Sequence, residues 1–178
     1  MLTREQMQLL LRAPVGPQAI RDRALLWTAF STAARASELA GMDWRGLEAD
    51  AMRFWRPKVK SWHRAPLMPE AVHALRLLRL QARTLEMHGP IFQSLRGGPL
   101  STNGIWRIVD KWGACVGIRK GLRRPHVIRA TRASLAGEDE VPILAIQMLL
   151  GHTSPTTTAR YVRAANGWME DQMARSGL

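Results

Sequence analysis

Six residues scattered along this sequence carry side chains that could break a phosphodiester bond without a metal ion. A phenol has an ordinary pKa of about 10, so it needs a nearby proton acceptor before it can act as a nucleophile. Planar guanidinium groups match the non-bridging oxygens of a phosphate in a bidentate way, and a lysine can protonate the departing oxygen. The candidates are Arg35, Lys58, His126, Arg129, His152 and Tyr161, which is the only tyrosine of the chain.

Taken singly, these residues have ordinary structural explanations. Arg35 is typical of a salt-bridged surface arginine, and Tyr161 of a half-buried aromatic residue whose hydroxyl lies in water. His126 and Arg129 would be neighbours on one helical face if a helix begins at Pro125, and such a pair can bind an anion at the helix start. Their combination in one chain is what favours phosphoryl-transfer chemistry.

The sequence indicates neither a metal site nor a disulfide framework. Glu138, Asp139 and Glu140 fall in a predicted surface loop, away from the basic residues, which argues against two-metal nuclease chemistry. The single cysteine, Cys115, excludes internal disulfides and a cysteine-based zinc site. We therefore expect no metal site.

The composition favours a polyanionic partner. The 178 residues include 26 Lys and Arg against 14 Asp and Glu, a net charge of +12, and 46% are hydrophobic, enough for a proper core. The longest apolar run, at 24–34, is about half of what crossing a bilayer takes, and no signal peptide is visible. These features predict a single cytoplasmic domain that binds nucleic acid.

Hydrophobic periodicity predicts a mainly helical fold. Thr3 and Gln6 form a capping box for a short first helix. Pro17 suits the first turn of a second helix, which continues through Phe30. The run ASELAGM predicts a third helix, capped by Ser37 or by the residues just before it.

One small antiparallel sheet is predicted in the middle of the chain. The runs AMRFWRP and HRAPLMP flank the polar segment KVKSW, so a hairpin would carry Lys58 and Lys60 at its tip. A helix follows from Pro69, a short strand is possible at Ile91–Gln93, and Ser101 can cap the next helix. Further helices are predicted at about 125–136, 142–150, 155–163 and 166–175.

In order and spacing, these motifs resemble the catalytic domain of the tyrosine recombinases, the phage-integrase family. ARASEL is similar to that family's first arginine box, HVIR to its His-x-x-Arg box, LLGH to its Leu-Gly-His box and TTTARYV to its nucleophile segment. His152 follows Arg129 by 23 residues and Tyr161 follows His152 by nine, both usual intervals in the family. The resemblance implies one catalytic domain over 1–178, with a nucleophile-bearing segment at 153–163 and a tail at 164–178.

The resemblance also implies a mechanism with named roles. Tyr161 would attack a DNA phosphate, giving a 3′-phosphotyrosyl link and a free 5′-hydroxyl, and a hydroxyl of a second duplex would then attack that link. Arg35 and Arg129 would clamp the phosphate. His126 would accept or share the tyrosine proton, and His152 would hydrogen-bond a non-bridging oxygen. Because the bond energy stays in the ester, no cofactor is implied.

The lysine is assigned by its distance from a proline. In the family the catalytic lysine commonly lies eight residues before the proline that closes the second strand. Pro66 therefore selects Lys58 as the general acid, and Lys60 is the alternative because loop lengths vary here.

The chain departs from the family pattern in three alanines and in its length. Ala33 and Ala34 replace the usual glycine and larger apolar residue of the first box, and Ala130 replaces a His or Lys. Many members carry an N-terminal core-binding domain, so the chain would be either a truncated form or a compact member like the fimbrial-type DNA invertases. Trp168 and Met169 could contact a neighbouring protomer or complete this chain's own core.

The implied partner is double-stranded DNA at a specific recombination site. A homo-tetramer would form in the synaptic complex, with a monomer free in solution, and no membrane is involved. A type IB topoisomerase uses the same chemical groups, and a catalytically silent DNA-binding or accessory protein could keep the same fold. The small size of the chain and the spacing of the motifs favour the recombinase over the topoisomerase, and the complete set of Arg, His and Tyr residues favours it over the silent protein. A basic helical module that binds RNA or a partner protein, with the motifs accidental, is the remaining alternative.

Overall fold

The computed structural model describes residues 1–82 and 88–151. Within these ranges the chain forms α-helices and one two-stranded antiparallel sheet, which confirms the predicted fold class. The helices are α1 (Arg4–Arg12), α2 (Ala19–Thr32), α3 (Ala36–Ala40), α4 (Pro69–Gln81), α5 (Thr102–Cys115), α6 (Pro125–Glu138) and α7 (Ile143–Leu150), and the strands are β1 (Ala51–Arg56) and β2 (Ser61–Pro66).

Helix α2 lies at the centre of the core. Leu25 and Leu26 are fully buried, and α1, α4, α6 and β2 pack around this helix. From Ala24 onward this helix is apolar or small on most sides, so it is stable only when other elements surround it. Asp22 is buried on the same helix, where it pairs with Arg21 and accepts a hydrogen bond of 2.8 Å from the indole nitrogen of Trp112 on α5.

Several helices begin where local sequence signals predict. Thr3 accepts from the backbone nitrogen of Gln6, whose side chain accepts from the backbone nitrogen of Thr3, which confirms the capping box. Ser101 caps α5 through the backbone nitrogen of Gly104. Pro69 occupies the first turn of α4, where its missing N–H is not needed.

The predicted start of α2 was wrong by two residues. Gln18 is the N-cap and the helix begins at Ala19, so Pro17 lies before the helix rather than in its first turn. Gly16 has a φ of 83°, and its carbonyl accepts from the nitrogen of Ala19 in a turn that precedes the helix. The left-handed conformation of Gly16 allows the chain to turn just before α2 begins.

The possible strand at 91–93 is not formed. The nitrogen of Ile91 donates to the carbonyl of Met42, while the carbonyl of Phe92 accepts from the nitrogen of Leu100. Consecutive residues thus pair with two different segments, so only isolated bridges result and no continuous ladder develops. Ile91 and Phe92 are buried and serve the core instead.

The second strand, β2, begins closer to the turn than predicted. KVKSW was expected to be a loop, yet β2 begins at Ser61, and the turn is 57–60. The register places Trp55 opposite Trp62, and their rings meet edge to face with centroids 5.8 Å apart. Such a cross-strand aromatic pair stabilises the end of the ladder and extends the pairing toward the turn.

Some predicted elements lie outside the described residues, namely the helices at 155–163 and 166–175 and the contacts of Trp168 and Met169. Across 1–82 and 88–151, no helix is both long enough and apolar enough to cross a membrane. In the same ranges no group of three or more His, Cys, Asp or Glu residues is arranged to hold a metal ion.

Candidate active site

A cleft of about 510 Å³ brings together three of the six predicted site residues. Arg35 at the start of α3, and His126 and Arg129 on the first turns of α6, all line it. Thr102 and Trp106 of α5 line it as well. The remaining lining residues are Ala36, Pro125 and Ala130. Among the described residues that line it are two guanidinium groups and an imidazole but no carboxylate, so the cleft is suited to an anion.

Arg35 is oriented by a buried carboxylate. It is the N-cap residue of α3, and its backbone nitrogen donates to Oε2 of Glu38 over 2.8 Å. Its Nη1 donates to Oε1 of the same residue, also over 2.8 Å, while the Glu38 side chain is only 1% exposed. A partly buried, charge-assisted pair of this kind fixes the guanidinium group in one direction. The rest of the Arg35 side chain, 30% exposed, lines the cleft.

Arg129 ties together the ends of two helices. It is buried, and its guanidinium group donates to the carbonyl of Ala33 at the end of α2 and, over 2.6 Å, to the carbonyl of Leu150 at the end of α7. Ala33 has a φ of 48° and ψ of 30°, a left-handed conformation that ends α2 two residues before Arg35. Arg129 therefore fixes two segments of the site besides lining the cleft itself.

His126 lies at the exposed start of α6. The structure confirms that this helix begins at Pro125, so His126 and Arg129 share one face, and both line the cleft. The first backbone N–H groups of a helix have no partner within the helix and carry partial positive charge. The predicted His-Arg pair thus lies where a phosphate would meet both its side chains and the positive end of a 14-residue helix.

The Leu-Gly-His motif marks the end of α7. Leu150 is the last residue of this helix, and Gly151 follows in a left-handed conformation with a φ of 58°, as predicted for a helix stop. His152 comes next in the sequence. His152, Tyr161 and the predicted nucleophile-bearing segment 153–163 lie outside the described residues, so their roles stay predictions.

The two candidate lysines lie in the exposed turn of the hairpin. Lys58 and Lys60 belong to the turn 57–60, which the nitrogen of Val59 closes by donating to the carbonyl of Arg56 over 3.2 Å. Lys60 has a φ of 48°, in the left-handed region. Neither lysine lines the cleft that holds the two arginines, so the choice between them stays a prediction.

The sequence matches a known family over most of its length. The model of the phage integrase family matches residues 1–167. The chain belongs to the phage integrase family. This membership confirms the resemblance that the ordered arginine, histidine and tyrosine motifs carry.

Known relatives agree with the phage-integrase assignment. The chain is 34% identical over 152 residues to tyrosine recombinase XerD of Mycobacterium tuberculosis (strain CDC 1551 / Oshkosh), covering 82% of this chain and 49% of that protein. The chain thus spans about half the length of the curated relatives it matches first. Two solved structures share the fold. One is XerA recombinase (TM-score 0.83, 24% identity, 98% of this chain and 62% of that chain), and the other is the catalytic domain of bacteriophage HP1 integrase (TM-score 0.69, 20% identity, 100% and 95%).

Three residues of this integrase-family site were not singled out from the sequence. Glu38 holds Arg35, Trp106 lines the cleft, and Arg56 is buried beneath the hairpin. The signal for Glu38 was its position three residues after the cap, where glutamate commonly accepts from the cap nitrogen. The signal for Arg56 was a charge at an inward position of a strand whose alternate residues, such as Phe54, face the core. Nothing in the spacing marks Trp106.

His63 is a histidine of the hairpin that stays uncharged. It lies opposite Phe54 in the strand register, and the two rings meet edge to face. Burial and, to a smaller extent, the positive charge of Arg56 lower the pKa of His63 to about 4, against an opposing effect of Glu38. Because this imidazole is neutral, it does not place a second positive charge beside the buried Arg56.

We expect the stability of the protein to fall in mild acid because of His63. The unfolded imidazole takes up a proton near pH 6.5, which the folded one accepts only at about pH 4. Between these values this residue would lower the free energy of unfolding by up to about 1.4 kcal/mol for each unit of pH decrease. Urea denaturation from pH 7 to pH 4.5 measures the slope, which His63→Gln should reduce. His73→Gln, a substitution at an exposed histidine of α4, should keep the parent slope. An unchanged slope in His63→Gln would contradict the assignment.

Proposed function

We propose that this chain is the catalytic part of a site-specific DNA recombinase that cleaves and rejoins DNA through a 3′-phosphotyrosyl intermediate. Depending on the arrangement of the sites, the outcome is integration, excision or inversion. The proposal rests on family membership and on one observation, the cleft that gathers Arg35, His126 and Arg129.

That cleft supports phosphoryl transfer because of what fixes its cations. Arg35 is held by the buried Glu38, and Arg129 by two backbone carbonyls, so neither guanidinium group needs to reorganise when charge develops on a phosphate. A pentacoordinate phosphorus gathers negative charge on its non-bridging oxygens. The two preorganised guanidinium groups and the positive end of α6 beside them supply the matching positive charge.

In the cleavage step, Oη of Tyr161 attacks the phosphorus and the bond to the 5′ oxygen breaks. The phenolic proton passes to His126, while the departing 5′ oxygen takes a proton from Lys58, for which Lys60 is the alternative. His152 donates a hydrogen bond to a non-bridging oxygen. These roles agree with the exposed imidazole of His126 in the cleft and with two exposed ammonium groups on a turn.

In the joining step, the 5′-hydroxyl of a second duplex attacks the phosphotyrosyl phosphorus. The bond to Tyr161 breaks, the phenolate recovers its proton from His126, and the attacking hydroxyl gives its proton to Lys58, or to Lys60 in the alternative assignment. One ester bond forms for each that breaks, so the cycle needs neither a nucleotide cofactor nor a metal ion.

The proposed partner is duplex DNA, bound by a tetramer of this chain in the synaptic complex. The net charge of +12 supports such a partner, since phosphate contacts dominate the affinity of DNA-binding proteins. We further propose that residues 1–178 act as one catalytic domain. A cytoplasmic location fits a protein with a single, exposed cysteine that works on DNA.

A nicked suicide duplex tests the proposal. Cleavage beside the nick releases a short fragment that diffuses away, so the covalent intermediate accumulates. We expect a protein–DNA adduct on denaturing electrophoresis, with the nucleotide mapped by peptide mass spectrometry to Tyr161, formed equally well in excess EDTA. The substrate must carry a site that the protein is shown to bind.

Two outcomes would contradict this function. An absence of adduct on a duplex that the protein binds tightly would show a catalytically silent DNA-binding protein. Relaxation of a supercoiled plasmid that lacks any specific site, without recombinant products, would instead indicate a topoisomerase.

A further inference from the structure

Arg56 is a charged residue in the middle of the hydrophobic core. It is the last residue of β1, and its side chain is 1% exposed. By volume it is the largest fully buried side chain in the described part of the chain. Its guanidinium carbon lies over the ring of Phe54, 5.3 Å from the centroid. Arg56 does not line the cleft of the candidate active site.

Arg56 contacts two segments of the candidate site and lies next to a third in the chain. Its Nη2 donates to the carbonyl of Leu149 over 2.7 Å, in the last turn of α7 before His152. Its Nε lies 3.9 Å from Oε1 of Glu38, the same oxygen that accepts from Arg35. Lys58 follows two residues later in the chain, in the turn that the carbonyl of Arg56 closes.

The backbone of Gly151 lies directly against the guanidinium group of Arg56. A Cβ added at Gly151 would lie 1.5 Å from Nη1 of Arg56 and 2.7 Å from its Cζ. The φ of 58° at this position is also one that residues with a side chain rarely adopt. The backbone that leads into His152 therefore rests directly against the guanidinium group. Only a residue without a side chain allows this approach.

Stability alone does not explain a buried cation here. Nε and Nη1 of Arg56 have no hydrogen-bond partner in the described part of the chain, and burial lowers the pKa of the group. Replacing a buried ion pair by apolar residues of similar volume is often neutral or stabilising. A methionine would fill much of the same space without the cost of desolvating a charge.

We propose that Arg56 is a positioning residue of the active site, which holds the end of α7 and the carboxylate that orients Arg35 in a fixed relation to each other. Arg35 and the segment entering His152 belong to different parts of the chain, and the buried fork of Arg56 is in contact with both. This inference rests on the proposed function for its effect on cleavage, and on the fold alone for its effect on α7.

The first arm of the test needs neither DNA nor activity. The nitrogen of Gly151 donates to the carbonyl of Met148, so its amide exchange reports how firmly α7 ends. In Arg56→Met we expect exchange of this amide to become faster by about tenfold or more, with core amides of α2 unchanged. Arg64→Met is the matched control, because Arg64 lies on β2 of the same hairpin but is exposed and paired with Glu48 and Asp50.

The second arm measures cleavage of the suicide duplex at saturating protein. We expect Arg56→Met to cleave more slowly by roughly 30-fold or more, since small misplacements of catalytic groups have effects of this size. DNA affinity should stay within about threefold of the parent, because Arg56 is not available to phosphates. The melting temperature should fall by only a few degrees, because the carbonyl of Leu149 loses one donor while Glu38 keeps its pair with Arg35. Arg64→Met should match the parent in cleavage rate.

Several outcomes would overturn the proposal. Parent-like exchange at Gly151 or parent-like cleavage in Arg56→Met would each show that Arg56 positions nothing. A slower cleavage that comes with an equal loss of DNA binding, in protein that is largely unfolded at the assay temperature, would show a merely structural role. If the parent itself forms no adduct on DNA that it binds, the proposed function fails, and amide exchange alone decides whether Arg56 fixes the end of α7.

Discussion

Replacing Tyr161 with phenylalanine is expected to abolish covalent attachment to DNA while DNA binding stays near the parent level. Tyr161 is the only tyrosine of the chain, so no other phenol can take its place. Phenylalanine keeps the ring and lacks only the attacking oxygen. Binding should survive because it depends on phosphate contacts by the basic side chains. Denaturing electrophoresis of the nicked duplex measures the adduct, and a mobility shift measures affinity.

The control for this variant removes a hydroxyl from the same segment. Thr157→Val lies four residues before Tyr161 and should form adduct at the parent rate. An adduct that persists in Tyr161→Phe would mean that a serine, threonine or cysteine attacks instead. Loss of the adduct in both variants would point to a defect of the segment as a whole and would leave the phenol without a special role.

The parts of the fold that could be predicted are those set by local chemistry. Thr3, Ser101 and Pro125 each start a helix through contacts within three or four residues, so the sequence pattern alone sufficed. The second strand was misjudged at Ser61, because the pairing of Trp55 with Trp62 is an interaction between strands. Cross-strand packing overrides local polarity in such a case.

Of the site, the sequence allowed prediction only of the side chains that are proposed to contact the phosphate. Arg35, His126 and Arg129 stand in recognisable motifs, and the structure brings them into one cleft. Glu38 pairs with Arg35, and Arg56 contacts Glu38 and the carbonyl of Leu149, which is 93 residues away from Arg56 in the sequence. No local pattern encodes such a distance, although an arginine facing the core of a strand was a clue.

Two buried arginines of this protein, Arg129 and Arg56, bind backbone carbonyls at helix ends. Arg129 holds the carbonyls of Ala33 and Leu150, and Arg56 holds that of Leu149. Each carbonyl lies within three residues of a predicted catalytic residue, Arg35 or His152. Because backbone carbonyls at helix ends have no partner within the helix, a buried guanidinium group can satisfy them and position the following residue together.

Arg129→Met is expected to reduce single-turnover cleavage by about 10³-fold, the effect of losing a preorganised donor to the transition-state charge. The loss should exceed that of Arg56→Met, because Arg129 both lines the cleft and fixes the segments before Arg35 and His152. It should also lower the free energy of unfolding by about 1–3 kcal/mol, since two buried carbonyls lose a donor. Cleavage of the nicked duplex and urea denaturation measure the two effects.

Arg132→Met separates these effects from the loss of a partly buried arginine in general. Arg132 lies three residues further along α6, with its guanidinium carbon 5.5 Å from the centroid of the Phe30 ring, and does not line the cleft, so its variant should cleave at the parent rate. Arg129→Lys keeps the charge but not the planar fork, and should recover no more than about tenfold of the lost rate. Full recovery in Arg129→Lys would show that charge alone matters at this position. Cleavage by Arg129→Met within tenfold of the parent would remove Arg129 from the chemistry and leave it a purely structural link between α2 and α7.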